Sequence, residues 1–175
     1  MVIVGQQLLA LNKQYAIVKR ELVLPEEDFA LNLSLDPVVK RYKPSEHPVI
    51  YGRELPVELV QEERIRDAYL TLQPSSAVLG CSAEIVSMPL GYFGLVQTKG
   101  SLARLFISVT CCDGQIEPGY NGRVTFELVN LGPNIVKIPI GAKIAQTYIL
   151  RCSSRVTPAY AGKYQGATGP TGSVF

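Results

Sequence analysis

Seven short apolar runs, separated by turn residues, occupy the chain from residue 69 onward and restrict its fold more than any other feature. The runs are AYLTLQP, AVLGCSAEIVSMP, YFGLVQTKG, RLFISVTCC, RVTFELVNLGP, IVKIPIG and KIAQTYILR. Almost no helical pattern lies between them, and the chain contains 15 Gly and 12 Pro. Strands at this spacing are typical of a sandwich, a jelly roll or a barrel. We therefore predict a mainly β fold.

The chain before residue 69 carries different patterns. The run GQQLLALNKQ, residues 5–14, predicts one short helix. Residues 26–36 alternate apolar and polar side chains with a period of two, which predicts a strand. Residues 37–68 hold four prolines and many charges, and they predict a long connection with short strands and a helical turn near 58–67.

A chain of 175 residues is long enough to bury one hydrophobic core, so we expect a single domain over 1–175. Within it we place the helix, strand and connection in 1–68 and the barrel core in 69–157. Residues 158–175 are rich in glycine and cannot pack a core. Such a segment is either disordered or a lid that closes over a ligand.

Charge and hydropathy exclude two classes of partner. The net charge is +2, and the basic residues are scattered, so we expect no nucleic acid and only a small anionic ligand. No stretch approaches the ~18 apolar residues of a membrane span, so we expect no membrane partner. The N-terminal run MVIVGQQLLALNKQ lacks a basic leader, and we expect a cytoplasmic protein.

The four cysteines show no metal-binding or redox spacing. Cys111 and Cys112 are adjacent, and on a strand they would point to opposite faces and be poor partners for each other. We therefore expect Cys81, Cys111, Cys112 and Cys152 to be reduced thiols.

Several kinds of catalytic chemistry are missing from the sequence. It contains neither a GxxxxGK[ST] phosphate loop nor the HxE and PCxxC motifs of zinc nucleobase deaminases, so we expect no zinc. The one histidine, His47, lies in a polar connection and is interpreted as an exposed loop residue. An enzyme of this sequence would use carboxylate, hydroxyl and cation chemistry.

One predicted strand, residues 124–129, carries a carboxylate in its middle. Glu127 is flanked by Phe126 and Leu128, and neighbouring elements could restrict solvent around such a position. Either this strand has one wet face and Glu127 is solvated, or Glu127 is held in a site.

Four segments occur in an order that is specific to one family: TKGSLARL (98–105), GQIEPGYNGRVTFEL (114–128), GAKIAQ (141–146) and GKYQGATGPT (162–171). Together they resemble the dCTP deaminases and trimeric dUTPases, and most closely the deaminase branch, over roughly 69–175. The resemblance implies a distorted β-barrel of jelly-roll type that assembles as a homotrimer. It also implies active sites at subunit boundaries and a C-terminal segment that folds over the bound deoxycytidine or deoxyuridine triphosphate.

The resemblance also implies roles for individual residues. Glu127 corresponds to the general base that takes a proton from the water attacking C4 of cytosine, and Arg104 to the arginine that holds this carboxylate and the water in place. General acid–base work suits a carboxylate in a partly apolar site. The dUTPase branch usually has an aliphatic residue at the position of Glu127.

The remaining implied roles concern the nucleotide itself. Lys99, Gly100 and Ser101 lie in the loop that cradles the phosphates, where backbone N–H groups and a cation suit a triphosphate. Tyr120 corresponds to the aromatic residue that packs on deoxyribose and excludes a 2′-hydroxyl. The other implied nucleotide contacts are Glu117, Gln146, Tyr160, Lys163 and Tyr164, of which Lys163 and Tyr164 belong to the C-terminal clamp on the γ-phosphate.

The sequence departs from the deaminase pattern at five positions. Gly100 stands in place of a serine that binds the attacked ring position and water, a loss of about 2–4 kcal/mol in transition-state stabilisation. Lys99 replaces a forked arginine with a point charge. Glu117 and Asn32 each stand where the family has Asp, and Ala167 stands in place of a glutamine of the C-terminal motif.

Three functions remain open on the sequence alone. The first is a dCTP deaminase that forms dUTP and ammonia, with Mg²⁺ bound only through the triphosphate. The second is a dUTPase, or a bifunctional enzyme that gives dUMP and pyrophosphate, with Glu117 in place of the water-activating Asp. The third is a nucleotide-binding trimer without catalysis, which the changes at Gly100 and Ala167 would permit.

Overall fold

A computed structural model describes residues 1–19 and 29–174. Its elements, in chain order, are β1 (Val2–Ile3), α1 (Gly5–Tyr15), β2 (Leu31–Ser34), β3 (Val38–Tyr42), a 3₁₀ turn (Val57–Leu59), β4 (Val60–Arg64), β5 (Tyr69–Leu72), β6 (Ala77–Ser87), β7 (Tyr92–Thr98), α2 (Gly100–Ala103), β8 (Ile107–Ser108), β9 (Gln115–Ile116), β10 (Asn121–Asn130), β11 (Val136–Pro139) and β12 (Lys143–Arg151). Each of the seven predicted apolar runs contains a strand, so the prediction of a mainly β fold is confirmed. Neither helix in this part of the chain is long and apolar enough to cross a membrane.

Two five-stranded sheets and a two-stranded ribbon make up the β structure. The first sheet has the order β1-β12-β7-β9, and β2 also pairs with β12. The second sheet has the order β4-β3-β6-β10-β8, and β5 pairs with β11 in the ribbon. The strand pairs are antiparallel, so one face of each sheet can cover the core while the other meets solvent.

Alternation along the strands builds the core. In β10 the even-numbered residues from Gly122 to Asn130 are buried, whereas the odd-numbered residues from Arg123 to Val129 are half-buried. The side chains without solvent exposure include Leu31, Leu33, Leu35, Leu70, Leu72, Phe126, Leu128 and Ile149. Each such side chain stabilises the fold by about 1.5–3 kcal/mol relative to leaving it in water.

The N-terminal predictions agree with the structure where it can be compared. The helix predicted over 5–14 is α1, and Ala16 ends it in the left-handed region (φ 49°) with its N–H donated to Asn12 O. The strand predicted over 26–36 is β2, while residues 26–28 lie outside the described residues.

Three local predictions were wrong. The helical turn placed near 58–67 is limited to Val57–Leu59. Val60–Arg64 is an edge strand, and because most of its side chains are exposed and charged, its sequence shows no alternation with a period of two. The helix α2 was missed because four residues are too few for a periodic signal. Cys111 and Cys112 follow β8 in a bend rather than on a strand, so the argument for opposite faces does not apply to them.

Candidate functional site

Glu127 lies near the middle of β10, on its half-exposed face. Its Oε2 accepts hydrogen bonds from the backbone N–H groups of Cys112 at 2.6 Å and Asp113 at 3.2 Å. Both donors belong to the bend after Thr110, which forms a bridge with Glu127. Within the described residues Oε1 has no hydrogen-bond partner. The strand therefore has a wet face, and the carboxylate on it is fixed by backbone donors.

Phe126 and Leu128, which flank Glu127 in the sequence, do not shield its carboxylate. Both side chains are fully buried in the core, on the opposite face of β10. Side chains of neighbouring residues in a strand point to opposite sides, so the flanking residues cannot surround the carboxylate. Its surroundings come from other parts of the chain.

An irregularity in strand pairing lies just before Glu127. Arg123 pairs with Ile85 and Thr125 pairs with Cys81, so three residues of β6 face only one residue of β10. Ser82 fills the gap, since its Oγ accepts the N–H of Val124 at 2.8 Å and its carbonyl accepts Arg123 Nη1 at 2.8 Å. Bulges of this kind bend a strand and re-aim its side chains, and they often occur next to active sites.

A cavity of about 210 Å³ opens beside Glu127. Five residues predicted for the site line it: Glu117, Tyr120, Glu127, Tyr160 and Tyr164. The other lining residues were not predicted and are Asp113, Gly114, Gln115, Ile116, Val124, Thr125 and Thr171. Side chains from three separate stretches of the sequence therefore meet at one depression.

Tyr120 forms part of the cavity wall through its ring. It is 8% exposed, and its hydroxyl donates to Arg123 O at 2.6 Å. Burial raises the pKa of Tyr120 from 10.0 to about 12, and the neighbouring Tyr160 and Glu117 add to the shift. The rings of Tyr120 and Tyr160 lie 5.9 Å apart at 58°, in a tilted aromatic contact. Because its hydroxyl is engaged with the backbone, Tyr120 offers a ligand an apolar ring face.

The Gly-rich C-terminal segment lies against residues 118–125. Tyr160 N donates to Pro118 O at 3.0 Å, Gly166 N to Asn121 O at 2.8 Å, and Arg123 N to Ala167 O at 2.8 Å. Farther along, Thr171 N donates to Thr125 Oγ1 at 3.0 Å. These contacts hold one edge of the segment against the cavity.

Two glycines permit this close approach. Gly119 has φ +91°, and a Cβ there would lie 2.7 Å from Ala159 Cβ. A Cβ on Gly122 would lie 2.8 Å from the backbone nitrogen of Ala167. Backbone cannot yield as a flexible side chain can, so larger residues at either position would push the segment away.

The other predicted residues do not line the cavity. Lys99, Gly100, Ser101 and Arg104 lie in or beside α2, and Gln146 lies on the adjacent start of β12; we call these five residues the helix cluster. Lys99 N donates to Ile144 O at 2.9 Å, which attaches α2 to β12. The pairing of Ile107 with Asn130 attaches the chain that follows α2 to the end of β10.

Arg104 is exposed, and its guanidinium has no hydrogen-bond or ion-pair partner among residues 1–19 and 29–174. Its Nη1 lies 3.3 Å from the position that a Cβ on Gly100 would take. The Arg104 guanidinium therefore folds back over Gly100, the loop position that has no side chain.

Lys163 is separated from the cavity by the turn of the C-terminal segment. Its Nζ donates to Val174 O at 3.0 Å, and it lines a second depression with Lys40 and Glu62. Tyr164 and Thr171 line both depressions, so the two are neighbours.

No sequence signal identified Cys112, Asp113, Thr125 or Thr171 as parts of the site. Cys112 and Asp113 act through backbone N–H groups, which every residue except proline carries. Thr125 and Thr171 meet through long-range folding of a low-complexity segment. In the part of the chain that the structure describes, no three acidic, histidine or cysteine side chains converge to hold a metal ion.

Comparison with known proteins identifies the family of this chain. Residues 4–152 match the family described as dCTP deaminase-like. The chain is 32% identical over 150 residues to the dCTP deaminase, dUMP-forming, of Leifsonia xyli subsp. xyli (strain CTCB07), an alignment that covers 82% of this chain and 75% of that protein. It is 38% identical over 134 residues to the dCTP deaminase, dUMP-forming, of Parafrankia sp. (strain EAN1pec), with coverage of 72% and 64%.

A solved structure shows the same fold. The crystal structure of 2'-deoxycytidine 5'-triphosphate deaminase from Agrobacterium tumefaciens superposes with a TM-score of 0.62 at 18% identity, covering 85% of this chain and 47% of that one. This chain thus spans about half the length of that solved chain, and three quarters or less of the two relatives above. Both the family match and the identity to these relatives show that the chain belongs to the dCTP deaminase-like family.

Proposed function

We propose that this protein deaminates dCTP, with Glu127 as the general base. The observation that carries the proposal is the fixed carboxylate: two backbone N–H groups hold Oε2, and Oε1 is left to accept a hydrogen bond from water beside the cavity. Glu127 takes a proton from water as the oxygen attacks C4 of cytosine, and passes protons to the ring nitrogen and to the leaving ammonia. The products are dUTP and ammonia, and such proton transfer is worth about 10²–10⁴ in rate.

The walls of the cavity support a deoxynucleoside as the group bound there. Tyr120 presents a ring face on which a deoxyribose without a 2′-hydroxyl can pack, and Tyr160 extends this surface. A cavity of about 210 Å³ is smaller than the ~300–1,000 Å³ of typical ligand pockets. A complete nucleotide site therefore needs further walls.

We assign these walls to a neighbouring subunit of a homotrimer. Arg104, Ser101 and Lys99 of the helix cluster belong to the same resemblance as Glu127, yet they lie outside its cavity. Next to them, Leu105, Phe106 and Leu131 are 54%, 64% and 70% exposed, and Leu131 N donates to Phe106 O at 2.9 Å. A contiguous apolar patch of this kind is typical of a subunit interface.

In the trimer the helix cluster of one subunit faces the Glu127 cavity of the next. Arg104 then orients the carboxylate and the attacking water, since a planar guanidinium suits that role. Lys99, Ser101 and Gln146 contact the triphosphate, and the C-terminal segment, with Tyr164 and Lys163, closes over it. The helix cluster and the cavity are two halves of one site.

A second step, hydrolysis of dUTP to dUMP and pyrophosphate, is favoured by one further observation. Glu117 lines the same cavity as Glu127, so a second carboxylate is available to activate water, and both relatives described above are named dUMP-forming. We expect Mg²⁺ to be bound through the triphosphate and not by a site built from protein side chains. When bound, the ion neutralises charge on the phosphates.

We place the enzyme in the cytoplasm, where free thiols such as its four cysteines persist.

Incubation of the protein with dCTP and Mg²⁺ tests the proposal. We expect ammonia in a coupled assay and dUTP or dUMP by anion-exchange chromatography, and E127Q should lower the rate of both by about 10²–10⁴ while leaving thermal unfolding unchanged. A protein that is stabilised by dCTP but releases no ammonia would be a nucleotide binder, and the proposal would be wrong.

A further inference from the structure

Cys111 and Cys112 form an exposed pair of thiols beside the Glu127 carboxylate. Both side chains are exposed, whereas Cys81 is buried. The two residues occupy the bend between Thr110 and Asp113. The neighbouring Cys111 thiol raises the pKa of the Cys112 thiol, and the charge on Glu127 adds to the shift. The pair is therefore both accessible and close to the catalytic carboxylate.

We propose that Cys111 and Cys112 are a redox modification site, at which a peroxide forms a vicinal disulfide that displaces Glu127. The first thiolate attacks the O–O bond of the peroxide and becomes a sulfenic acid, releasing hydroxide or alkoxide. The second thiol attacks that sulfur, an S–S bond forms and water leaves. Two thiols lose two electrons and two protons, and one peroxide is reduced.

The new bond cannot form without distorting the backbone that holds Glu127. Adjacent Cα atoms are ~3.8 Å apart, whereas an ordinary disulfide joins Cα atoms ~4.4–6.8 Å apart. The Cys111–Cys112 peptide lies within the small ring that the disulfide closes. The N–H of that same peptide donates the 2.6 Å hydrogen bond to Glu127 Oε2. Oxidation thus acts directly on the group that positions the carboxylate.

The strain also makes the modification reversible. Strained and exposed disulfides have higher reduction potentials and are the labile, regulatory ones. A low-molecular-weight thiol would return the bend to the described form and restore the donors to Glu127. The site would let an oxidising environment switch off the activity proposed above, on which this functional consequence rests.

Peptide mass spectrometry tests the chemical step independently of any activity. Trypsin releases residues 105–123 as one peptide, since neither lysine nor arginine occurs between Arg104 and Arg123. After mild treatment with hydrogen peroxide and alkylation of free thiols, we expect this peptide to be two hydrogens lighter and unalkylated. Peptides that carry two alkylated thiols, or dimers joined through either cysteine, would overturn the proposal.

Amide hydrogen exchange and rates test the effect on Glu127. Oxidation should speed exchange at the Cys112 and Asp113 amides, and it should lower the rate of ammonia release by about 10²-fold, the cost of a ~1 Å misplacement. Both changes should reverse with a phosphine reductant. C111S should make exchange and rate insensitive to peroxide, relative to its own untreated form, and the matched control C152S should stay sensitive.

The outcomes separate this inference from the proposed function. A lighter peptide with unchanged exchange at Cys112 and Asp113 would overturn the link to Glu127. If the untreated protein released no ammonia, the proposed function would fail, and the peptide mass and the exchange data would still decide whether the site exists.

Discussion

Thr171 and Thr125, 46 residues apart, are joined by two contacts: Thr171 N donates to Thr125 Oγ1 at 3.0 Å, and the two hydroxyl oxygens lie 2.8 Å apart. Thr125 is two residues from Glu127 on β10, and both threonines line the cavity. The C-terminal segment is thus attached to the strand that carries the carboxylate. Any opening of the segment must break this attachment.

Removing the Thr125 hydroxyl should release the segment. In T125V the side chain keeps its shape and loses both contacts, which are worth about 1 kcal/mol together. We expect faster trypsin cleavage after Lys163 with little change in global unfolding. The matched control is T168V, which alters an exposed threonine of the same segment. Equal cleavage of T125V and the unaltered protein would contradict the attachment.

The two carboxylates of the cavity should separate the two proposed steps. E127Q should lower ammonia release from dCTP by about 10²–10⁴, because the general base is lost. E117Q should leave ammonia release within a few-fold and should lower the formation of dUMP from dUTP. Product analysis on each substrate measures both effects. If E117Q abolished ammonia release and spared dUMP formation, the assigned roles would be reversed.

Gly100 is the departure from the deaminase pattern with the clearest structural consequence. A Cβ there would lie 3.3 Å from Arg104 Nη1, the end of a flexible side chain that can move by a few tenths of an ångström. G100S would place a hydroxyl beside the guanidinium, and we expect the rate of ammonia release to rise by at least ~10-fold. G100A is the matched control, because it adds the Cβ without the hydroxyl. If G100A raised the rate of ammonia release as much as G100S, the hydroxyl would have no role in the effect.

The sequence predicted the strands well because their signal is local. The alternation along residues 121–130 and the turns around it follow from the burial of one sheet face. The edge strand Val60–Arg64 was placed in a helical turn because neither of its faces is well buried, so its charged side chains show no period of two. Local sequence therefore indicates a strand only where one face of that strand is buried.

The site was harder to predict for a different reason. Glu127, Glu117 and Tyr120 lie in one stretch whose motif could be identified, and the structure brings them to one cavity. The N–H donors of Cys112 and Asp113 carry no side-chain signature, and the contact between Thr125 and Thr171 depends on how a Gly-rich segment lies in three dimensions. Whether a backbone N–H group or a threonine contributes to the site depends on the fold, and the residue type does not reveal it.

Tyr120 should make stability depend on pH in the alkaline range. Its pKa is about 12 in the folded protein and 10.0 ordinarily, so the folded state holds the proton more tightly than the unfolded state. Stability is fully present below about pH 10 and falls as pH rises from about 10 to about 12. Urea unfolding should show a steeper loss between about pH 10 and about pH 12 in the unaltered protein than in Y120F.

Y120F also lacks the hydrogen bond to Arg123 O and should be less stable by about 1 kcal/mol near neutral pH. The two proteins are therefore compared by how steeply the free energy of unfolding falls with pH, and not by its absolute value. Burial raises the pKa of the Cys81 thiol to about 12 as well, and this residue is present in both proteins. Parallel slopes would show that Tyr120 does not titrate as described.

Mixing two inactive variants should restore activity if the site is shared between subunits. E127Q lacks the base in the cavity, and R104Q lacks the guanidinium of the helix cluster, so each alone should lose most of its ammonia release. In a mixed trimer with heterologous contacts, some boundaries join an intact Glu127 of one subunit to an intact Arg104 of the next. Random mixing of equal amounts gives such boundaries at about a quarter of all sites. Co-expression with two tags, isolation of the mixed species and a rate measurement would reveal about a third of the unaltered rate, because each mixed trimer has one such boundary among its three. Mixed trimers as inactive as the two parents would mean that Glu127 and Arg104 act within one chain.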